Sequence, residues 1–291
     1  MAKILITGGT GLVGKKLTEM LTNKNHEVVI LSRNPRKENE YKWDISTNYI
    51  DKEALVDIDY IIHLAGAGIA DKRWTNKRKK IIIDSRVQST NLLYHKIEEF
   101  KIDLKGFVSA SGIGYYGAKT SETTFEETDK VGTDFLADVC QKWEQVAHQF
   151  SSRDIPVTIL RMGIVLAKKG GALDKMITPI ISPLGSGKQY LPWIHIDDLC
   201  NMYISAIDGD LKGIYNAVAP EHHTSITFSK TLAKSIKKPF INIGIPKIML
   251  KILFGEMSII LLEGSKISAK KIEKSGYSFR FKTLTKALNN L

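Results

Sequence analysis

The sequence predicts an α/β fold: a doubly wound parallel sheet with helices on both faces, followed by a smaller, partly interleaved C-terminal region. Three observations lead there. Ile4-Leu5-Ile6 is a continuous apolar run rather than an alternating one, as a central parallel strand covered on both faces requires. Short apolar runs then alternate with helix-period segments as far as Ile155–Arg161, which is the rhythm of a parallel sheet with right-handed crossovers. From Gly170-Gly171 that rhythm breaks, and Pro179, Pro183, Gly185 and Gly187 punctuate an irregular stretch. The expected division is a sheet domain over 1–168, to which later segments return, and a second region over 169–291 with a helical part at about 240–291.

The first strand runs straight into Gly8-Gly9-Thr10-Gly11-Leu12-Val13-Gly14, and Val13, Leu17, Met20 and Leu21 then recur at helical spacing. Gly8 suits a tight turn, Gly11 a close approach of backbone to a pyrophosphate, and Gly14 close packing of helix on strand. The helix N-terminus adds unpaired N–H groups and the positive end of its dipole, so strand, turn and helix together read as a dinucleotide site. The second strand, Glu27–Ser32, ends in Ser32-Arg33-Asn34-Pro35. A carboxylate at that point would bond a ribose 2′-OH, whereas Arg33 suits a 2′-phosphate that it can clasp in a charge-assisted fork. The expected cofactor is therefore NADP (NADPH).

Tyr41–Asp44 reads as a short third strand that brings Asp44 toward an adenine, and Asp59–Gly66 as a fourth ending in small residues over which a cofactor can pass. A helical pattern from about Asn76 to Phe100 is interrupted at Asp84-Ser85-Arg86. Gly106–Ser111 is a fifth strand ending in hydroxyls at the carboxyl edge, where ligands of open α/β sheets bind. The amphipathic helix from about Thr133 to Phe150 presents Leu136, Val139, Cys140, Trp143, Ala147 and Phe150 on one face. Asp197 is expected to cap the helix after Trp193-Ile194-His195. His195 and Asp197 also suggest an acid/base pair, but a strand-end histidine and a helix cap suit them better. Gly255 and Gly276 are candidate helix stops.

The 43% of hydrophobic residues is ample for a packed core, and no apolar run approaches the roughly 18 residues needed to span a bilayer. The N-terminus opens directly on a strand rather than a signal peptide, so a cytoplasmic location is expected. Cys140 and Cys200 are the only cysteines, which supports neither a disulfide framework nor a metal site. The net charge of +11 is spread along the chain, and its densest cluster, Lys72 to Lys80, reads as the exposed start of a helix. The expected partner is a small-molecule substrate, with no nucleic acid and no membrane; the oligomeric state stays open.

Taken together, several stretches resemble the extended, epimerase-like branch of the short-chain dehydrogenase/reductase superfamily, and within it the NAD(P)-dependent epimerase family proteins. They are Gly8 to Gly14, Ser32-Arg33-Asn34-Pro35, His63-Leu64-Ala65-Gly66, Ala70-Asp71-Lys72-Arg73-Trp74, Ser109-Ala110-Ser111 with Gly114-Tyr115-Tyr116-Gly117, Trp193 to Asp198, and Phe254-Gly255-Glu256-Met257. The resemblance covers the whole chain and implies a Rossmann-type NADP domain, a substrate region and a family-specific C-terminal domain. Gly8, Thr10, Gly11, Leu12, Gly14, Ser32, Arg33, Leu64 and Ala65 are expected to hold the cofactor, and the resemblance implies that Arg86 helps hold its phosphates. The superfamily's reaction centre is a Ser or Thr after the fifth strand and a Tyr-x-x-x-Lys pair on the next helix. This chain departs from that pattern, with Leu136 and Cys140 at the pair's positions. Tyr115 and Lys119 match the spacing by coincidence, because the pair needs one helical face to bring it together. The catalytic candidates are therefore Ser111 and Tyr116, with Tyr115 as the other possible proton donor. The expected activity is an NADP-dependent oxidoreductase or epimerase reaction on a small carbonyl or hydroxyl compound, nucleotide-linked compounds included. The alternative is a non-catalytic NADPH-binding sensor or partner-binding protein.

Overall fold

Alternate residues of the central strands feed two different cores, and that alternation makes the sheet doubly wound. The computed structural model describes all 291 residues. In chain order the sheet domain comprises β1 (Lys3–Thr7), α1 (Leu12–Asn23), β2 (Glu27–Ser32), β3 (Glu40–Asp44), β4 (Tyr49–Ile50), β5 (Tyr60–His63), α2 (Asn76–Glu99), β6 (Gly106–Gly112), β7 (Ser121–Phe125), α3 (Phe135–Ala147) and β8 (Val157–Met162). There follow β9 (Ile164–Leu166), α4 (Gly171–Met176), β10 (Trp193–His195), α5 (Ile196–Ile207), β11 (Gly213–Ala217), α6 (Ser225–Ser235), α7 (Lys247–Phe254), α8 (Ile259–Leu262), β12 (Ser265–Ile267), α9 (Lys270–Lys274) and α10 (Leu284–Asn290). Eight strands form one sheet in the order β11-β8-β6-β5-β1-β2-β3-β4, parallel throughout except for the short β3–β4 hairpin. The strand order reverses at β1, so the carboxyl ends of β1 and β5 flank the crevice where such sheets bind ligands.

Ile4, Ile6, Ile62, Val108 and Leu160 pack with Leu17 and Leu21 of α1 and Leu199, Met202 and Tyr203 of α5. Leu5, Val29, Leu31, Ile61, Phe107 and Ile159 point the other way, against Leu92, Leu93 and Ile97 of α2, Ala147 at the end of α3 and Phe150 beyond it. Each fully buried aliphatic side chain contributes about 1.5–3 kcal/mol, so these two layers fix the register of the sheet. A third core, around Trp193, Phe228, Leu232, Phe281 and Leu284, joins α6 and α10 to the end of the sheet domain. The pairing of β12 with β7 fastens the C-terminal segment beside the turn that follows β6.

Several elements differ from expectation for local reasons. Helix α2 runs without a break, because Ser85 donates to the Ile82 carbonyl and Arg86 points into the interior. His195, not Asp197, caps α5: its Nδ1 accepts the Asp197 N–H at 3.1 Å. Asp197 sits in the first turn, where it meets the positive end of the helix and pairs with Lys16 at 3.8 Å and Arg280 at 3.4 Å. Burial holds His195 down to about 4, and its ring lies on Phe281, so it is a neutral packing and capping group. Helix α3 starts at Phe135, where the Asp134 carboxylate accepts the N–H groups of Leu136 and Ala137. The strands β4, β7 and β12 carry no local signal of their own, being short and defined by their partners.

Candidate cofactor and reaction site

The turn after β1 is built for backbone to be approached. Gly8 adopts φ +71°, a conformation costly for other residues, and a Cβ there would lie 2.9 Å from the Leu64 carbonyl carbon at the end of β5. A Cβ on Gly14 would run into the Gly8 carbonyl oxygen, so α1 packs against the turn as closely as a bare backbone allows. Among the helices of ten residues or more, α2, α3, α5 and α6 each have a side-chain cap, from Thr75, Asp134, His195 and Thr224. Helix α1 has none: Gly11 stands at its N-cap and leaves the first-turn N–H groups open toward the crevice. Thr10 is exposed and Leu12 half-buried beside it, whereas Leu64 and Ala65 are half-buried across the crevice.

At the end of β2, Ser32 is buried and its hydroxyl accepts the Asn34 N–H at 3.3 Å, shaping the turn. Arg33 and Arg36 project from that turn into solvent, and residues 32–37 contain no Asp or Glu. Arg86 is 6% exposed and lies beneath the Gly66–Ala67 backbone. Its Nη1 donates to the carbonyls of Ala67 and Ile82, its face stacks on Trp143 at 4.8 Å, and its Nε finds no partner. Burial pulls it down to about 10, so it stays charged at neutral pH without a carboxylate beside it. The floor of the crevice is His63, fully buried between Thr7 Oγ1 at 2.7 Å and Ser89 Oγ at 3.1 Å. Ser89 donates to the Ser85 and Arg86 carbonyls, so it accepts from the imidazole, which assigns the proton to Nε2 and leaves Nδ1 to accept from Thr7. Desolvation by burial pushes His63 down to about 3, and the nearby Arg86 charge pushes the same way.

The ends of β6 and β8 carry a second polar cluster of a different kind. Arg161, 1% exposed, forms a bidentate pair with Glu144, Nε and Nη2 each 2.8 Å from a carboxylate oxygen. Burial opposes this charge, but the Glu144 carboxylate outweighs it and raises the Arg161 pKa. Ser111 donates to Glu144 Oε1 at 2.7 Å. Tyr116 donates to Asn216 Oδ1 at 2.6 Å and accepts from Arg161 Nη1 at 3.0 Å. Burial drives the Tyr116 phenol up to about 12. Tyr115, by contrast, is half-buried, with its ring over the Arg161 guanidinium at 3.3 Å and no side-chain or backbone group of the chain bonded to its hydroxyl. Leu136 and Cys140 pack on the turn beside them: a Cβ on Gly114 would lie 3.1 Å from Leu136 Cβ, and one on Gly112 3.6 Å from Cys140 Sγ. Burial pushes the Cys140 thiol up to about 11, with Glu144 adding to it, which leaves an inert core thiol. Lys119 lies beyond Gly117, whose φ is +84°, so it shares no helical face with Tyr115.

A family model described as the NAD dependent epimerase/dehydratase family matches residues 4–217. The chain belongs to that family. A second model, a domain of unknown function (DUF1731), matches residues 245–291. An epimerase family protein of Staphylococcus epidermidis is 33% identical over an alignment that covers 100% of this chain and 99% of its own. Among solved structures, the human epimerase family protein SDR39U1 with NADPH is similar at a TM-score of 0.88 and 29% identity, covering 99% of this chain and 98% of that one. A nucleoside-diphosphate sugar epimerase from Corynebacterium glutamicum matches at 0.80 and 28% identity, covering 99% of this chain and 57% of its own.

Within this epimerase fold the residues named from the sequence fall into two groups. Gly8, Thr10, Gly11, Leu12, Gly14, Leu64, Ala65 and Arg86 gather around the crevice, and Ser32 and Arg33 stand at the end of the adjacent β2. Ser111 and Tyr116 do not face that crevice with free hydroxyls. The strand pleat turns Ser111 inward, and both hydroxyls are committed to Glu144, Arg161 and Asn216. Sequence reasoning missed Glu144, Asn216 and His63. Their one local signal is a polar residue within or at the end of an apolar run, and their partners are up to 100 positions away.

Proposed function

We propose that this epimerase-family chain is an NADP(H)-dependent oxidoreductase or epimerase of a small carbonyl or hydroxyl compound, nucleotide-linked compounds included. The observation that carries the cofactor choice is the end of β2, where Arg33 stands free beside Ser32 with no acidic residue to repel a 2′-phosphate. The residues present suit a dinucleotide: an uncapped α1 N-terminus, a Gly8–Gly14 cradle that any Cβ would fill, and in Arg86 a buried cation whose Nε lacks a partner. The α1 N–H groups and Arg86 would hold the pyrophosphate, Ser32 and Arg33 the 2′-phosphate, and Leu64 and Ala65 would leave room for the chain between them. The bound cofactor supplies or accepts the hydride.

The proton is the protein's own task. Tyr116 and Ser111 are buried and internally bonded, so their hydroxyls serve the network rather than a substrate. Tyr115 is the phenol with a free hydroxyl, and the Arg161 guanidinium beneath its ring fixes its position. We therefore assign the proton transfer to Tyr115 in place of Tyr116. Titration calorimetry tests the cofactor: NADPH is expected to bind more tightly than NADH, and Arg33→Ala to cost NADPH alone about 1.5–3 kcal/mol. Equal affinities, or an unchanged preference in the variant, would sink the assignment.

A second reading, a non-catalytic NADPH-binding sensor or partner-binding protein, is favoured by one observation: Leu136 and Cys140 stand where the resemblance puts the superfamily's catalytic pair. A broad panel of carbonyl compounds and nucleotide sugars separates the two readings, since bound NADPH that no panel member oxidises supports the sensor.

A further inference from the structure

Eight of the twelve large apolar side chains left exposed by the fold lie between Ile177 and Leu253. They are brought together by the chain's own pairing: Ile181 bridges Phe240 and Leu184 bridges Ile245, and α7 begins two residues later. On α7, Leu250 alone is buried, at 3%, whereas Ile248 is 70% and Ile252 69% exposed, with Met249 and Leu253 beside them. Ile243, just before the helix, is 74% exposed. An eight-residue helix that turns four aliphatic side chains outward cannot owe its place to the core alone.

The two segments that build this face carry charge of one sign. No Asp or Glu occurs in residues 175–196 or 222–255, the two segments that build it, whereas the second alone carries six lysines. The carboxylates that flank these segments are engaged by other groups, Asp174 by the Gly170 N–H, Asp197 by Lys16 and Arg280, Glu221 by the Leu284 N–H and Glu256 by Lys79, and beyond them Glu263 meets Thr120 and, at 3.8 Å, Lys247 at the start of α7. A second copy of the chain seated on this face by two-fold symmetry would set lysines against lysines. A protein interface would centre on Tyr, Trp or Arg and be poor in Lys, and this face has the opposite composition. Exposed aliphatic side chains on segments whose formal charges are all lysines match the boundary of an anionic bilayer, where apolar groups enter the acyl region and ammonium groups meet the headgroups.

We propose that the α7 face docks this protein on the surface of anionic lipid bilayers. No helix is long and apolar enough to cross a membrane. Docking of this kind needs none, which is why a search for spanning runs gives the expectation of no membrane partner. The proposal stands apart from the cofactor assignment.

The test is co-sedimentation of the full chain with vesicles of phosphatidylcholine alone and of phosphatidylcholine with an equal part of phosphatidylglycerol. The anionic vesicles are expected to retain about tenfold more protein or better, and to lose it as salt rises from about 0.1 M to about 0.5 M. Ile248→Ser with Ile252→Ser should abolish retention at an unchanged melting temperature, since both side chains are already exposed. Lys234→Glu with Lys237→Glu should weaken it. No retention, equal retention on neutral vesicles, or full retention by the isoleucine double variant would overturn the proposal. So would concentration-dependent self-association in ultracentrifugation that the same double variant removes, which would make the face a contact between copies.

Discussion

The ends of β1, β2 and β5 and the ends of β6 and β8 both carry polar side chains and use them in opposite ways. At the nucleotide end, Arg33 is free in solvent, Arg86 is buried without a carboxylate, and α1 opens on bare N–H groups. At the reaction end, Ser111, Glu144, Arg161, Tyr116 and Asn216 satisfy one another almost completely behind the surface. Unmet donors and cations mark where a ligand completes the structure, whereas a closed network marks where the structure completes itself. On the proposed function, the contrast is the reason for assigning the proton to Tyr115 instead of its neighbour Tyr116.

The largest effect should come from opening the closed end. Glu144→Gln leaves Arg161 a buried cation without its counter-charge, and urea denaturation should reveal a loss of about 3–5 kcal/mol. A loss below about 1 kcal/mol would mean that the pair is less isolated from water than its burial implies. Next come the two tyrosines. Tyr115→Phe should lower turnover of any identified substrate by about 10²–10⁴-fold at unchanged stability. Tyr116→Phe should do the reverse, costing about 1–3 kcal/mol of stability by leaving Asn216 and Arg161 short of a partner, with turnover nearly intact. Exchanged phenotypes would restore Tyr116 as the donor.

A smaller effect concerns His63. Its folded-state pKa, near 3, lies below its unfolded value near 6.5, so between those limits the unfolded chain binds the proton and the native one does not. The stability that neutral His63 contributes is complete above pH 6.5 and is lost as pH falls toward 3. The slope is about 1.4 kcal/mol per pH unit at its steepest. Denaturation midpoints from pH 7 to pH 5 should follow that slope, and His63→Gln should flatten it. An unchanged slope in the variant would assign the acid sensitivity to other groups.

Much of the nucleotide end was legible in the one-dimensional chain because its chemistry is local. Gly8, Gly11 and Gly14 lie within seven residues, and the strand before and the helix after them announce themselves by hydrophobic period. Arg33 is readable for the same reason, as the residue that follows an apolar strand. The alternation of strands and helices determined the parallel sheet, since a parallel pair leaves few other ways to make its crossover. Tertiary structure alone decided the reaction end. Glu144 reaches Ser111 across 33 positions, Tyr116 reaches Asn216 across 100, and β12 finds β7 across more than 140. Whether a hydroxyl faces a ligand or a buried carboxylate depends on strand pleat and on partners brought in by the fold, and no window of neighbouring residues contains that information. The same holds for α7: the sequence predicts a helical segment ending near Gly255, and only the packed chain shows that Ile248, Met249, Ile252 and Leu253 lie uncovered.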